Sequence, residues 1–181
     1  MMVLKVLFSL QPFTPVQDLP DLGMTVHLSR RSNTAALSYT IRGPMEEIVV
    51  PAPVETPLRM GRLWEETCLE FFLATKDSPQ YWEINLSPSG QWNIYRFSAY
   101  REGMQEEAAF TSLPFRVERG KDLFSLDVEL HLDRIISPNA PLHVGISAII
   151  KLRRNQMTYW ALNHPGQKPD FHRRESFIAE L

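Results

Sequence analysis

The sequence lacks most of the features that would assign it to a chemical class. It has one cysteine, Cys68, among 181 residues, so no disulfide can form within the chain and no multi-cysteine zinc site is available. A single cysteine inside an apolar run is typical of a small core side chain. No apolar run approaches the roughly 20 residues that a membrane-spanning helix needs. We therefore expect neither a disulfide-stapled protein nor a membrane protein.

An excess of basic charge is also missing. The chain carries 19 Lys and Arg against 21 Asp and Glu, which gives a formal net charge of -2. Proteins that bind a phosphate backbone usually have a basic excess, so we expect no nucleic-acid partner. The opening MMVLKVLFSLQPF has a brief apolar run with no small-residue cleavage site after it. We therefore predict no secretory signal and a cytoplasmic location.

Catalytic and metal-binding motifs are absent from the sequence as well. It contains no G-x-S-x-G, no P-loop and no Rossmann fingerprint. His164, Asp170 and His172 have the spacing H-x5-D-x-H, which matches no tight metal motif. The acids within residues 65–70 could supply a glycosidase pair, but their roles cannot be assigned from sequence. We expect a protein that is not an enzyme and that holds no metal.

What the sequence does contain is alternation of apolar and polar residues with a period of two, which is typical of β-strands. Proline and glycine lie mostly between these runs, as turn residues do. The pattern predicts a single all-β domain over residues 1–181, an antiparallel two-sheet β-sandwich with about nine to eleven strands. Short helices are predicted near Glu102–Ala109 and Leu132–Ile136. Strands are predicted over residues 3–10, 24–29, 35–42, 67–74, 81–87, 91–97, 124–130, 142–150 and 157–162.

Two of these segments decide how the middle of the chain is interpreted. In LWEETCLEFFLAT the aromatic residues also fit helical spacing, but the run is short, aromatic-rich and bounded by polar turns, so we interpret Thr67–Ala74 as a strand. The next two runs flank Ser87-Pro88-Ser89-Gly90, where glycine can supply a positive φ. Residues 81–87 and 91–97 therefore form a predicted hairpin.

Glu70 is the polar residue that stands out, because it lies within the apolar run Leu69–Leu73. Burying an unpaired carboxylate is costly, so it needs a partner, for which Arg96 on the hairpin is the candidate. The pair could be purely structural, Glu70 could lie at a solvated strand edge, or the pair could hold ligand hydroxyls. Trp64 and Trp160 lie at strand ends beside polar residues, where two indole faces could stack on a sugar ring.

The stretch WALNHPGQKPDFHRRESF, residues 160–177, fits neither a helix nor a strand throughout. Its prolines stiffen it as a loop, and Phe171 and Phe177 could pin that loop to the core. Functional residues concentrate on loops that a rigid scaffold holds. The stretch is therefore interpreted either as a wrap over the fold or as the lining of a pocket.

Three blocks, LWEETCLEFFLA, YWEINLSPSGQWNIYRF and YWALNHPGQKPDFH, resemble the DOMON-like proteins related to the family 9 carbohydrate-binding modules. The resemblance spans Trp64 to His172. It implies a jelly-roll-like β-sandwich of two antiparallel sheets and a non-catalytic role in binding a small molecule, most of all a saccharide.

The resemblance also implies a site in which two tryptophans stack on a sugar while polar side chains hold its hydroxyls. The matching positions are Trp64, Glu70, Arg96, Trp160 and Asn163, with His164 beside the last of them. Two alternatives remain. The wider group includes haem-binding domains with Met and His ligands, for which His164 and His172 are candidates together with Met60 or Met157. The aromatic residues could instead meet another protein. We predict no cofactor unless the haem alternative holds.

Overall fold

The structure is a computed structural model that describes residues 5–15 and 19–181. Part of the first predicted strand, 3–10, lies outside the described residues. The described part of the chain forms thirteen strands: β1 Lys5–Ser9, β2 Gln11–Pro12, β3 Gly23–Arg31, β4 Thr34–Arg42, β5 Cys68–Thr75, β6 Tyr81–Leu86, β7 Trp92–Phe97, β8 Gln105–Glu106, β9 Phe115–Arg119, β10 Leu123–His131, β11 Leu142–Lys151, β12 Met157–Ala161 and β13 Ala179–Glu180.

The strands form two sheets. The smaller sheet has the order β1-β3-β4-β10-β9, and the larger one has the order β2-β12-β11-β5-β6-β7-β8, with β13 paired to β11. The ladders between these strands are antiparallel. The predicted fold class, an antiparallel two-sheet β-sandwich, is confirmed.

The main core lies between the two sheets and follows the period-two pattern. On β4 the alternate residues Ala35, Leu37, Tyr39 and Ile41 are all buried and belong to this core. Residues on the side of the larger sheet that faces the smaller sheet, such as Ile146 on β11, pack against them. Full burial of such aliphatic side chains contributes about 1.5–3 kcal/mol each, so the alternation fixes which face of each strand points inward. We call this side of the larger sheet its inner face.

The outer face of the larger sheet is also apolar at its centre. Phe72, Tyr81 and Phe97 from three neighbouring strands form a second cluster, which Phe171 and Phe177 cover. Strands covered on both faces have continuous rather than alternating apolar sequences, which accounts for the uninterrupted runs at β5 and β11. The part of the stretch 160–177 that follows β12 therefore covers the outer face of this sheet.

Three of the local predictions were confirmed and one was wrong. The strand predicted over Thr67–Ala74 is β5, Cys68–Thr75, and the hairpin pairs Tyr81 with Phe97 and Leu86 with Trp92, with Gly90 at φ +99°. The second short helix is present as a 3-10 turn at Leu132–Arg134.

The helix predicted near Glu102–Ala109 does not form. Arg101 and Gly103 adopt positive φ angles of 56° and 62°, which interrupt a right-handed helix. The chain instead pairs β8 with β7, and the Glu107 N–H donates to the carbonyl oxygen of Ile94 at 2.8 Å. Among the described residues, no helix has the length and apolar character needed to cross a membrane.

Candidate functional site

A cavity of about 360 Å³ opens on the outer face of the larger sheet. Its floor comes from β5, β6, β7, β11 and β12, and its walls come from the loops that carry residues 101–104 and 169–172. The lining side chains are Trp64, Glu70, Glu83, Phe97, Arg101, Met104, Ile149, Tyr159, Pro169, Phe171 and His172. We call this the outer cavity.

Two acids, Glu70 on β5 and Glu83 on β6, lie on the cavity floor. They are only 2% and 4% exposed, and they sit on adjacent strands, where Glu70 is paired with Asn85 and Glu83 with Phe72. The Ser147 hydroxyl donates to Glu70 Oε2 across a long 3.4 Å, and Asn85 Nδ2 donates to Glu83 Oε1 at 3.0 Å. Neither carboxylate has a lysine or arginine nitrogen within 4.0 Å in the described chain.

Burial changes the acidity of both groups. Burial first, and then the neighbouring Glu83 carboxylate, raise the pKa of Glu70 well above its ordinary value. Burial raises the pKa of Glu83 to about 7, against the opposing effects of the Asn85 amide and the Arg101 charge. At neutral pH the two acids therefore hold at least part of one proton between them.

His172 closes the site from above through a chain of hydrogen bonds. The Arg101 backbone N–H donates to the Tyr81 hydroxyl at 3.1 Å, and that oxygen lies 2.8 Å from His172 Nδ1. Burial lowers the pKa of His172 to about 4, so the imidazole is neutral at pH 7. Because the Tyr81 oxygen already accepts from Arg101, we assign its hydroxyl proton to the bond with His172 Nδ1. The imidazole proton then lies on Nε2, which is 3.8 Å from Glu83 Oε2.

Arg101 is held at the cavity wall by an ion pair with Asp170. Its Nη2 donates to Asp170 Oδ1 at 2.8 Å, and the Tyr100 hydroxyl donates to the second oxygen of the same carboxylate. Asp170 also accepts the backbone N–H of His172 at 3.2 Å. This network ties the 101 loop to the 170 loop, which holds both walls in place.

Trp64 forms the aromatic rim of the cavity. It lies in a 3-10 turn, Leu63–Glu65, which is anchored by buried Leu63 and entered through Arg62 at φ +61°. Its ring is half-buried and lies 5.9 Å from the ring of Tyr95. On the far side, the rings of Tyr159 and Phe171 lie 6.2 Å apart. The cavity thus has aromatic faces on two sides and carboxyl groups on its floor.

Of the side chains predicted to form one site, the structure brings only Trp64 and Glu70 to this cavity. Arg96 pairs with Trp82 in the hairpin register, which places it on the opposite face of β7 from the acids, where its exposed guanidinium donates to Gln105 Oε1 at 3.1 Å. Trp160 is 3% exposed in the main core, and its Nε1 donates to Thr158 Oγ1 at 3.0 Å. The predicted Glu70–Arg96 pair and the predicted tryptophan sandwich are therefore wrong.

Asn163 and His164 lie beside the outer cavity rather than in it. Asn163 Nδ2 donates to the Glu175 carbonyl oxygen at 3.3 Å, and His164 Nε2 lies 2.8 Å from the Gln11 carbonyl oxygen. Of the haem-ligand candidates, only His172 lines the cavity, while Met60 is exposed on the surface. The haem alternative stays a prediction that the geometry does not favour, because both nitrogens of His172 already face protein groups.

The stretch of residues 160–177 serves both of the roles considered for it. Pro169, Phe171 and His172 line the cavity, while Phe177 packs against Phe72 with ring centroids 5.4 Å apart. The sequence did not single out Glu83, because it alternates with apolar residues on the predicted strand 81–87 as a solvent-facing residue does. The continuous apolar run of the neighbouring β5 could have shown that this side is covered, and hence that an acid on it is buried.

A larger and more polar depression, of about 730 Å³, lies over the smaller sheet. Its lining includes His27, Ser38, Asp127 and Arg116. Asp127 and Arg116 are exposed, so their charges are solvated there. The outer cavity is the better candidate site because its two acids, Glu70 and Glu83, are withdrawn from water.

Comparisons with known proteins agree with the architecture. No family model matches the chain. A rat protein named UPF0462 protein C4orf33 homolog is 30% identical over 135 residues, which is 70% of this chain. The matched region is 65% of that relative, so the chain spans just under two thirds of its length.

Solved structures give a wider match. A candidate carbohydrate-binding protein from Bacteroides uniformis superposes with a TM-score of 0.70 at 13% identity, over 96% of this chain and 84% of the other. A family 9 carbohydrate-binding module from Caldicellulosiruptor kristjanssonii, solved with glucose, has a TM-score of 0.52 at 12% identity, over 90% of this chain and 76% of that chain. The same kind of module from that organism, solved with cellotriose, has a TM-score of 0.55 at 10% identity, over 97% and 80% of the two chains.

This chain has the β-sandwich fold of carbohydrate-binding modules. At these identities the likeness concerns the fold alone.

Proposed function

We propose that the protein is a non-catalytic binding module for a carbohydrate and that the outer cavity is its binding site. The observation that carries the proposal is the combination of an aromatic rim at Trp64 with two buried carboxyl groups, Glu70 and Glu83, in one cavity. The solved neighbours bound to glucose and to cellotriose support this ligand class.

The lining suits the two-sided chemistry of a sugar ring. The C–H faces of a pyranose can pack on the indole of Trp64 and on the phenol ring of Tyr159. Carboxyl oxygens of Glu70 and Glu83 can accept hydroxyl protons, and the Arg101 guanidinium can donate. The volume of about 360 Å³ is near the lower end of ligand pockets, roughly 300–1,000 Å³. A single ring, or the end of a chain, fits this space better than an extended oligosaccharide.

Binding is a better assignment than hydrolysis for the two acids. A glycosidase places its two carboxyl groups on opposite sides of the scissile bond. Glu70 and Glu83 project from neighbouring strands on the same face of one sheet, where they accept hydrogen bonds from the Ser147 hydroxyl and the Asn85 amide. The proposal therefore gives both acids a role in holding ligand hydroxyls.

The finer relationships remain part of the proposal. A DOMON-like ancestry fits the two-sheet architecture, and the protein-interaction alternative would need a partner that covers the rim near Trp64. Neither has a feature in the cavity that favours it over a saccharide, whereas two aromatic faces above a polar floor are what a sugar ring requires.

Titration calorimetry with a panel of monosaccharides and short oligosaccharides tests the proposal. We expect Trp64→Ala to weaken saccharide binding by about ten-fold or more, since losing a stacked apolar surface costs on the order of 1–3 kcal/mol. Leu58→Ala is the matched control, because Leu58 is an apolar side chain 61% exposed outside the cavity lining. No binding of any saccharide, or equal binding by Trp64→Ala and the parent, would overturn the proposal.

A further inference from the structure

We infer that the outer cavity selects a ligand with a protonated amino group, which for a carbohydrate means an amino sugar with a free amine. The inference rests on the proposed function and names the ligand chemistry that the site takes. It starts from a mismatch between the number of buried acids and the number of cations available to them.

The first step is the burial of both acids without a cationic partner. Glu70 and Glu83 are each more than nine-tenths buried and are directed into the cavity. The polar contacts that they accept there come from the neutral groups Ser147, Asn85 and the Cys68 thiol. A buried carboxylate without a cation is costly, and proteins normally avoid this by pairing. Here the space opposite the acids is open cavity.

The second step is the charge balance around the pair. Arg101 is the cation of the cavity wall, and Asp170 already pairs with it. His172 is the other basic group, and its imidazole is neutral at pH 7. The other ionisable side chains around the acids are the thiol of Cys68 and the phenols of Tyr39, Tyr81, Tyr95 and Tyr159. The Arg101 charge acts on Glu83 from a distance, but neither acid has a Lys or Arg nitrogen in contact with it among the described residues, so the floor lacks a directly paired cation whenever an acid is ionised.

The third step is the aromatic lining. Trp64, Phe97, Tyr159 and Phe171 surround the space above the acids. An aromatic face attracts an ammonium group through its quadrupole, and the attraction grows when the site excludes water. A neutral sugar gains only stacking from these rings. A ligand ammonium gains stacking, cation–π attraction and a charge-assisted hydrogen bond to a carboxylate.

The protonation of the two acids depends on whether the ligand carries a positive charge. Without a cation, burial favours the neutral carboxyl form. An ammonium group that enters the cavity supplies the missing positive charge, so the acids can ionise and the proton leaves to solvent. Binding of the amine is therefore coupled to proton release, whereas binding of a neutral sugar is not.

Calorimetry at pH 7 with glucosamine, glucose and N-acetylglucosamine tests the inference. We expect glucosamine to bind at least ten-fold more tightly than glucose, and N-acetylation to remove that preference because it removes the charge. Glu83→Gln should reduce the preference to less than three-fold, read as the ratio of glucosamine to glucose affinity in the same variant, so that a change in glucose binding itself does not affect the comparison. Glu70→Gln provides a second variant with the same expectation. Glu55→Gln is the control and should keep the preference, because Glu55 is an exposed acid outside the cavity lining.

The outcomes separate the two proposals. If glucosamine and glucose bind equally, the selection for an amine is overturned while saccharide binding stands. If no saccharide binds but benzylamine does, and Glu83→Gln abolishes that binding, the amine selection stands and the carbohydrate assignment fails. If neither sugars nor benzylamine bind, both are overturned. Heats measured in two buffers of different ionisation enthalpy should show proton release with glucosamine and none with glucose.

Discussion

Tyr159 and Trp160 are neighbours in sequence that serve opposite sides of the same sheet. Tyr159 pairs with Ile149 and lines the outer cavity, whereas Trp160 pairs with Ala148 and is buried between the two sheets. Successive side chains of a strand point to opposite faces, so one residue of offset separates a ligand-facing ring from a core ring.

Trp64 and Trp160, the two predicted stacking partners, differ in burial, so truncating them should have different effects on the free energy of unfolding. Trp160→Ala should lower the free energy of unfolding by about 3–5 kcal/mol, as truncation of a buried aromatic side chain does. Trp64→Ala should cost clearly less, because Trp64 is half-buried at a rim. Urea unfolding of both variants checks this. An equal loss of stability in the two would place Trp64 in the core and remove its role at the cavity.

Glu83 predicts a dependence of stability on pH. Burial raises the pKa of Glu83 to about 7 in the folded protein from its ordinary value of 4.5, so between these pH values the native state keeps a proton that the unfolded chain has lost. The free energy of unfolding should therefore fall as pH rises from about 4.5 to about 7 and stay low above that. In Glu83→Gln this fall should be reduced, so the variant should be more stable than the parent at pH 8 and equal to it near pH 4.

Unfolding curves of Glu83→Gln and Glu55→Gln at pH 4, 6 and 8 measure the effect. The exposed Glu55 provides the comparison for loss of one charge. A constant difference between Glu83→Gln and the parent at all three pH values would show that Glu83 titrates as it would in water.

His172 predicts a dependence of the opposite sign. Burial lowers the pKa of His172 from 6.5 to about 4. Between these pH values the imidazole is protonated in the unfolded chain and neutral in the folded protein. Stability from this group is present above pH 6.5 and is lost as pH falls toward 4. A nuclear magnetic resonance titration of the His172 ring should give a midpoint near 4. A midpoint near 6.5 would contradict the buried, neutral imidazole and the hydrogen bond that it accepts from Tyr81.

Gly145 predicts a steric coupling between the larger sheet and its cover. A Cβ added at Gly145 would lie 2.7 Å from Cδ1 of Phe177, which is too close for two carbon atoms. Gly145→Ala should destabilise the protein by about 1–3 kcal/mol, the usual range for overpacking. Phe177→Leu should recover part of that loss, so a double-mutant cycle should give a favourable interaction energy. Additive effects of the two substitutions would show that the ring moves away freely.

The sequence predicted a strand's orientation where only one face of that strand is covered by the rest of the protein. On β4 and β10 one face meets the core and the other meets solvent, so their alternation located both strands and their buried sides. On β5 both faces are covered. Its sequence therefore predicted a strand but did not indicate whether Glu70 points into the main core or to the outer face of the sheet.

The site was harder to predict for the same reason. Arg96 and Trp160 have the right chemistry for a sugar site, but the parity of their positions turns them away from Glu70. His172 reaches Glu83 only because the stretch after β12 folds back over the sheet. Contacts of that separation are set by tertiary packing, and no local pattern near residue 83 shows them.

The order of the segments along the chain has a consequence for biosynthesis. The acids and Trp64 are encoded in the first half of the sequence, whereas Phe171 and His172, which wall the cavity, come after β12. A ribosome releases the polypeptide from its N-terminus, so the sheet that carries the acids emerges before its cover does. During that interval Phe72, Tyr81 and Phe97 face water. The pocket is therefore complete only after Phe171 and His172 have folded over the sheet, and until then its aromatic floor can associate with other chains.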